Sequence, residues 1–312
     1  MTLAVQPLSS RSTKPAVTRP VSKRRRPRVN PAYLFIAPSL LLIAVFILEP
    51  LAQTAWMSLH DWSIGEASHA FRGLGNYRTM LHDPRFWNAL KVTTIYTIAV
   101  TIGQVVLALG LAEALRRTTW VTTILRAAFF FPFIASLAVV GIVWRFLLDP
   151  QVGLVDALLA QVGASQPNWL QSTSLALPTM IVVGIWKNFG FAMIILLAGM
   201  QGIPTHLYEA ASLDGAGAWA RFRHVTVPSL RPSLLFVLVI STITGLQLFD
   251  LSYVMTNGGP VFHTESIVQY LYQRGFIDFD LGYAAAISWV LFAITLIVSI
   301  VQLRALRYRD VD

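Results

Sequence analysis

EAASLDGAGAWARFRHVTVPSL, residues Glu209 to Leu230, is a polar island between two of the most apolar stretches of the chain. It holds Glu209, Asp214, Arg221, Arg223 and His224, with glycines at 215 and 217. Pro204, just ahead of it, can open a helix at its first position. Residues 205–214 then read as a short helix with Leu207, Ala210, Ala211 and Asp214 on one side. Gly215 can take the left-handed conformation that ends a helix. Trp219 and Phe222 lie three apart, which suits one face of a second short helix, and Pro228 is placed to bend the chain back. The spacing predicts a helix–turn–helix at a membrane surface, presenting a carboxylate, an apolar wedge and basic flanks. Three uses compete for it. They are a plain amphipathic connection lying on lipid headgroups, a phosphate site built from Arg221, Arg223 and Arg231, and a docking surface for a soluble partner.

The chain around the island is that of an integral membrane protein. Of 312 residues, 55% are hydrophobic and only 12% charged, against about 25% charged in a soluble domain. Mean hydropathy is +0.61. A net charge of +9 would suggest nucleic acid in a soluble protein. Here eight of the 24 Lys and Arg fall within the first 28 residues, including Lys23, Arg24, Arg25, Arg26 and Arg28. Most of the rest cluster at the ends of apolar runs. That distribution fits attraction to anionic headgroups and excludes a nucleic-acid partner. With no cysteine, disulfides, thiolate metal sites and a cysteine nucleophile are excluded.

A bilayer core about 30 Å thick requires roughly 20 mostly apolar residues per helix. Six segments qualify: about 33–57, interrupted near its far end by Glu49-Pro50, then 89–115, 124–147, 175–200, 232–254 and 282–303. Their length and lack of alternation favour helices over a barrel. Tyr33, Trp56, Trp87 and Trp144 flank spans as interfacial aromatics do. The tail and the connections 116–126, 201–231 and 304–312 hold seventeen Lys and Arg, and the opposite side six. The positive side is cytoplasmic, which puts both termini and the island inside. Residues 1–32, rich in Pro, Ser and Arg, read as a disordered basic cytoplasmic tail. Residues 33–312 read as one transmembrane domain whose first span is an uncleaved anchor.

The island resembles the EAA loop of binding-protein-dependent ABC importer permeases, whose pattern is E-A-A, three residues, G, nine residues, I, one residue, L-P. Glu209-Ala210-Ala211 is followed by Ser212-Leu213-Asp214 and Gly215, and nine residues later by Val225, Val227 and Pro228. The two valines replace the family's Ile and Leu. Phe71, Gly73, Leu74, Asn76 and Tyr77 resemble the F-x-G-L-x-N-Y segment of the sugar and glycerol-phosphate type, which includes maltose-type inner-membrane subunits. Thr256-Asn257-Gly258-Gly259-Pro260 resembles their T-x-G-G-P turn, and Gly282-Tyr283-Ala284-Ala285-Ala286 the start of their last span. The resemblance implies an all-α type I importer permease in a bacterial or archaeal cytoplasmic membrane. It implies ATPase coupling through Glu209, Ala210, Ala211, Asp214, Gly215 and Pro228. It further implies a homologous second permease, two ATPase subunits carrying ATP and Mg, an extracytoplasmic solute-binding protein, and no cofactor or metal on this chain. The solute would be a carbohydrate or a glycerol-phosphate-like molecule.

Absent motifs agree with a non-catalytic transport subunit: there is no G-x-x-x-x-G-K-[ST] phosphate loop, no H-E-x-x-H and no G-x-S-x-G. Polar groups inside spans are expensive and mark candidate pathways. Lys187 and Asn188 in the fourth span qualify, as do Gln247, Asp250 and Tyr253 in the outer half of the fifth. Lys187 would suit a phosphate-bearing solute, or it pairs with a carboxylate such as Asp250. Gln104 in the second span is read as bonding another helix, and Glu113 as structural. The competing reading is a self-sufficient secondary transporter or channel. It usually carries repeated broken helices, and no paired discontinuities are visible in the two halves of the sequence.

Overall fold

The computed structural model describes residues 31–63, 65 and 69–306. Residues 1–30 of the expected basic tail lie outside the described residues, as do Arg307 and Arg309. The described chain is helical, with only isolated bridges, His60 to Phe71 and Ser63 to Asp280, outside the helices. In chain order the helices are α1 Pro31–Ile43, α2 Glu49–Ser58, α3 Gly75–Leu81, α4 Pro84–Ala114, α5 Trp120–Ile134, α6 Leu137–Leu147 and α7 Leu154–Gln161. They continue as α8 Ala176–Gln201, α9 Thr205–Leu213, α10 Ala218–Arg221, α11 Val227–Ser229, α12 Arg231–Leu246, α13 Ile267–Tyr272 and α14 Leu281–Leu306. Single π turns occupy Ala44–Leu48, Phe222–Thr226, Ser252–Thr256 and Gln273–Ile277. The described residues divide between Pro50 and Leu51 into two compact units. Every site discussed below lies in the second.

Four helical runs are long and apolar enough to cross a membrane: Phe35–Ser58, Pro84–Ala114, Ala176–Gln201 and Leu281–Ala305. Two bent pairs raise the number to six, if each pair makes one crossing. The first run corrects one expectation. Glu49-Pro50 does not interrupt it, because the turn Ala44–Leu48, closed by the Glu49 N–H on the Ala44 carbonyl, precedes the proline. A widened turn makes room for a ring that would otherwise strike the carbonyl four residues back.

The third and fifth crossings differ more. The continuous helix expected over 124–147 is two helices, α5 and α6, bent by 97° at Ala135–Ser136. Pro132 lies inside α5 and removes the N–H that would hold its last turn. The second bend, 69°, falls at Leu230 between the α10–α11 run and α12. It lies two residues past Pro228. Its cause is Pro232, which has no N–H to return to the Pro228 carbonyl. Broken helices are thus present, although the sequence does not show them as paired discontinuities. α12 stops at Leu246, so Gln247 caps it and Asp250 lies beyond the break, in place of one span running to Val254.

Packing is centred on α4, which lies against α8 and α12; α12 in turn packs on α14, and α5 on α8. Small buried residues, Ala89, Ala108, Ala112 and Ala192, let these helices approach closely. Dispersion and close contact hold membrane helices together, since lipid supplies no hydrophobic drive between them.

Candidate functional site

The EAA island folds as its spacing predicts as far as Phe222, while the bend expected at Pro228 falls at Leu230. Pro204 is the residue before α9, one position earlier than expected. Gly215 follows α9 at φ +78°, a conformation that side chains other than glycine's rarely adopt. Its N–H donates to the Ser212 carbonyl at 3.1 Å. The Trp219 and Phe222 rings stack at 5.5 Å. Two side-chain bonds make the element rigid. Arg221 donates to Ser212 Oγ across the turn at 3.0 Å, and the Tyr208 and Thr226 hydroxyls meet at 3.0 Å. No residue of α9 is buried, and Leu213 and Trp219 project at 90% and 72% exposure. Beneath the element lies a cleft of about 560 Å³ lined by Glu113, Arg116, Arg117, Tyr208, Glu209 and Arg221, among others. Arg116 lies over the Tyr208 ring at 4.2 Å. Glu209 makes no hydrogen bond or ion pair among the described residues. Asp214 is exposed, and Pro228 is half-buried in the run leading to α12.

A second cavity, of about 260 Å³, lies where α4, α5, α6, α8 and α12 converge. Three of the pathway candidates read from sequence line it: Asn188, Gln247 and Asp250. Tyr96, Gln104, Ser241 and Thr244 add polar groups, and Phe133 and Phe191, stacked at 4.6 Å, add an aromatic wall. Gln104 bonds another helix as expected, through Nε2 to Ser241 Oγ, but it also faces the cavity.

Lys187 and Tyr253 are not among the lining residues. Lys187 is buried, and its ammonium donates to the Phe133 carbonyl at 2.6 Å while lying 5.0 Å from that residue's ring. Phe133 is the penultimate residue of α5, so its carbonyl is one of those the break leaves without an N–H partner. A cation at the carboxyl end of a helix also meets the negative end of the helix dipole. Lys187 therefore caps the broken helix. It makes no ion pair with Asp250 among the described residues. Tyr253 stacks on Phe249 at 5.2 Å and meets Tyr272 edge-on. Lys187→Met removes the donor to a half-buried carbonyl, a loss of about 1–3 kcal/mol. The expected result is a lowered melting temperature of the purified protein with the KM for uptake unchanged. A shifted KM at an unchanged melting temperature would return Lys187 to the pathway.

At the end opposite the EAA element, the segments after α12 and before α4 are tied together by groups that sequence reasoning passed over. Arg85 grips Glu265 with two bonds, 2.8 and 2.7 Å, and lies over the Phe262 ring at 4.1 Å. Glu265 is 2% exposed. Tyr270 and Tyr283 both donate to Asp83 Oδ2, the latter at 2.6 Å. Burial acts to raise the Asp83 carboxyl, but these donors and the N–H groups of Phe86 and Arg85 hold it below its ordinary value. Burial, together with the same bond, pushes the Tyr270 phenol up. The turn 256–260 is fastened by Thr264, whose Oγ1 donates to the Gly259 carbonyl at 2.6 Å, and by Ser252, which donates to the Thr264 carbonyl at 2.6 Å. Asn76, from the F-x-G-L-x-N-Y segment, donates to the Ser58 and His60 carbonyls at 2.9 and 3.0 Å. That motif is a structural clasp.

Comparison with known proteins places these features among relatives. A family model described as "Binding-protein-dependent transport system inner membrane component" matches residues 104–308. The chain is 34% identical over 280 residues to the sulfoquinovosyl glycerol transport system permease protein SmoG of Agrobacterium fabrum, covering 89% of this chain and 91% of that one. It is 33% identical over 288 residues to the trehalose/maltose transport system permease protein MalF of Thermococcus litoralis, covering 92% and 97%. A solved structure of a bacterial alginate ABC transporter in complex with an alginate pentasaccharide-bound periplasmic protein contains a chain of the same fold, with TM-score 0.75. Identity there is 21%, over 88% of this chain and 93% of that chain.

Proposed function

The chain belongs to the family of binding-protein-dependent transport system inner membrane components, and we propose that it is the permease subunit of an ATP-driven importer for a carbohydrate. The rigid element built on Glu209, Gly215 and Trp219 carries this reading. An exposed, unpaired carboxylate beside projecting apolar side chains is a surface made to be covered by another protein. A stiff two-helix element turns movement of that protein into rigid-body movement of the helices behind it.

In this mechanism two ATPase subunits bind ATP and Mg, and this chain hydrolyses nothing. Their closure pushes on α9 and α10, and the push passes through the Leu230 bend into α12. α12 forms one wall of the 260 Å³ cavity, so the cavity is the solute path through this half of the importer. A second, homologous permease supplies the other half. A solute-binding protein delivers at the end bearing Arg85 and Glu265, which is extracytoplasmic in a bacterial or archaeal cytoplasmic membrane. The EAA end and both termini are cytoplasmic. The relatives' names, for a sulfoquinovosyl glycerol and for trehalose and maltose, support a carbohydrate over a simple glycerol phosphate.

Mild-detergent purification of the tagged chain from its own membrane tests the assembly. The expected result is co-purification of a second permease and a phosphate-loop ATPase. Reproducible recovery of a stable chain alone would overturn the importer reading in favour of a self-sufficient transporter.

A further inference from the structure

We infer that the cavity selects a solute rich in hydrogen-bond donors and free of negative charge, an uncharged or amine-bearing sugar, with Asp250, Gln104 and Asn188 as its acceptors. The inference rests on the reading of this cavity as the solute path. It follows from which atoms in the lining are already engaged.

Gln104 is 3% exposed. Its Nε2 donates to Ser241 Oγ, while its Oε1 is buried without a partner. Asn188 donates through Nδ2 to the Gly184 carbonyl at 2.9 Å, which leaves its Oδ1 for the cavity. Thr244 donates to the Ile240 carbonyl at 2.9 Å and keeps only lone pairs. Asp250 has no hydrogen bond or ion pair among the described residues, and an ionised carboxylate only accepts. The remaining donors are the Gln247 amide, the hydroxyls of Tyr96 and Ser241, and the second N–H of each of the Asn188 and Gln104 amides, while every carboxylate and carbonyl oxygen of Asp250, Gln104 and Asn188 only accepts. Among the described residues no Lys, Arg or His lines the cavity, and the nearest cation in sequence, Lys187, is held by the Phe133 carbonyl.

The free groups are therefore biased towards accepting. A sugar hydroxyl or an ammonium offers donors to them. A phosphate, sulfonate or carboxylate offers acceptors alone, so it would leave the buried Gln104 oxygen unsatisfied and would meet the Asp250 charge in a cleft with apolar walls. Such clefts focus the field of their own sign of charge and raise the local concentration of the opposite sign by tenfold or more. The cationic route that Lys187 seemed to offer a phosphate-bearing solute is closed by its role as a cap.

The absence of cysteine from the chain permits a test independent of the solute's identity. Thr244→Cys places one thiol in the lining. In the intact importer in membranes, its modification by 2-(trimethylammonium)ethyl, 2-hydroxyethyl and 2-sulfonatoethyl methanethiosulfonate is followed by the mass of this chain. Each rate is divided by that reagent's rate with free mercaptoethanol. The cationic reagent is expected to exceed the anionic one by about tenfold, and Asp250→Asn to bring the ratio close to one. Modification by the neutral reagent with a ratio at or below one would overturn the charge selection and leave the solute path standing. A ratio that survives Asp250→Asn would overturn the role of Asp250. A thiol that no reagent reaches until the chain is denatured would overturn the path itself.

Discussion

Glu209→Lys enters the membrane in normal amount, but its importer fails to retain the ATPase subunits and its ATP-driven uptake falls at least a hundredfold. The first half follows from burial. α9 has no buried residue and Glu209 has no partner among the described residues, so the fold loses nothing. The second half follows from the interface. Removing one member of a close charge pair across a protein contact costs about 2–5 kcal/mol, and a hundredfold corresponds to about 2.8 kcal/mol. Reversal adds repulsion to that loss. Membrane-fraction blots, ATPase retention on a tagged chain and uptake together give the answer. Retention and uptake at the level of the unaltered protein would show that Glu209 lies outside the docking surface. Asp214→Lys, at the exposed end of the same helix, is the milder comparison, since that position lies at the rim of the projecting face.

The features legible in the sequence are those fixed locally. The EAA island could be read as two helices about Gly215 because the turn needs positive φ and glycine supplies it. The four long runs were legible because twenty apolar residues in a row admit few alternatives. The break at Ala135–Ser136 was not. The segment is apolar throughout, and what tolerates the break is the Lys187 ammonium on the Phe133 carbonyl, a contact between residues 54 apart. Lys187 and Asn188 show the same limit from the other side. Adjacent residues on a helix point about 100° apart, so one caps α5 while the other faces the cavity. Which does which depends on how α8 is rotated in its packing. Gln247 and Asp250 reach the cavity because α12 ends at Leu246, a boundary that an unbroken apolar pattern hides. The Arg85–Glu265 clamp joins positions 180 apart, and nothing at either position marks the other.

Gly190→Ala should lower the stability of the chain by about 3 kcal/mol, the upper end of what overpacking costs, and abolish uptake with it. Gly190 lies on α8 where α5 crosses. A β-carbon there would meet the Phe129 carbonyl oxygen at 2.0 Å, the Phe129 carbonyl carbon at 2.7 Å and the Phe130 Cα at 3.0 Å. These are backbone atoms, so no change of rotamer relieves the clash. Non-bonded carbon contacts sit at about 3.5–4.0 Å, and α5 must therefore withdraw by roughly 1 Å or more. Withdrawal carries Phe133 away from Lys187 and opens the bond that caps the break. It also moves Phe133 in the cavity wall, so geometry and stability fail together. Gly110→Ala is the matched control. The same added carbon on α4 meets nothing within 4 Å, and alanine favours a helix over glycine by about 1 kcal/mol, so that variant is expected to melt at or above the unaltered protein. Thermal melts of the two purified variants separate close packing from helix propensity. Equal melting temperatures would mean that α5 can slide on α8, and the break would then be a hinge with no fixed support from Lys187.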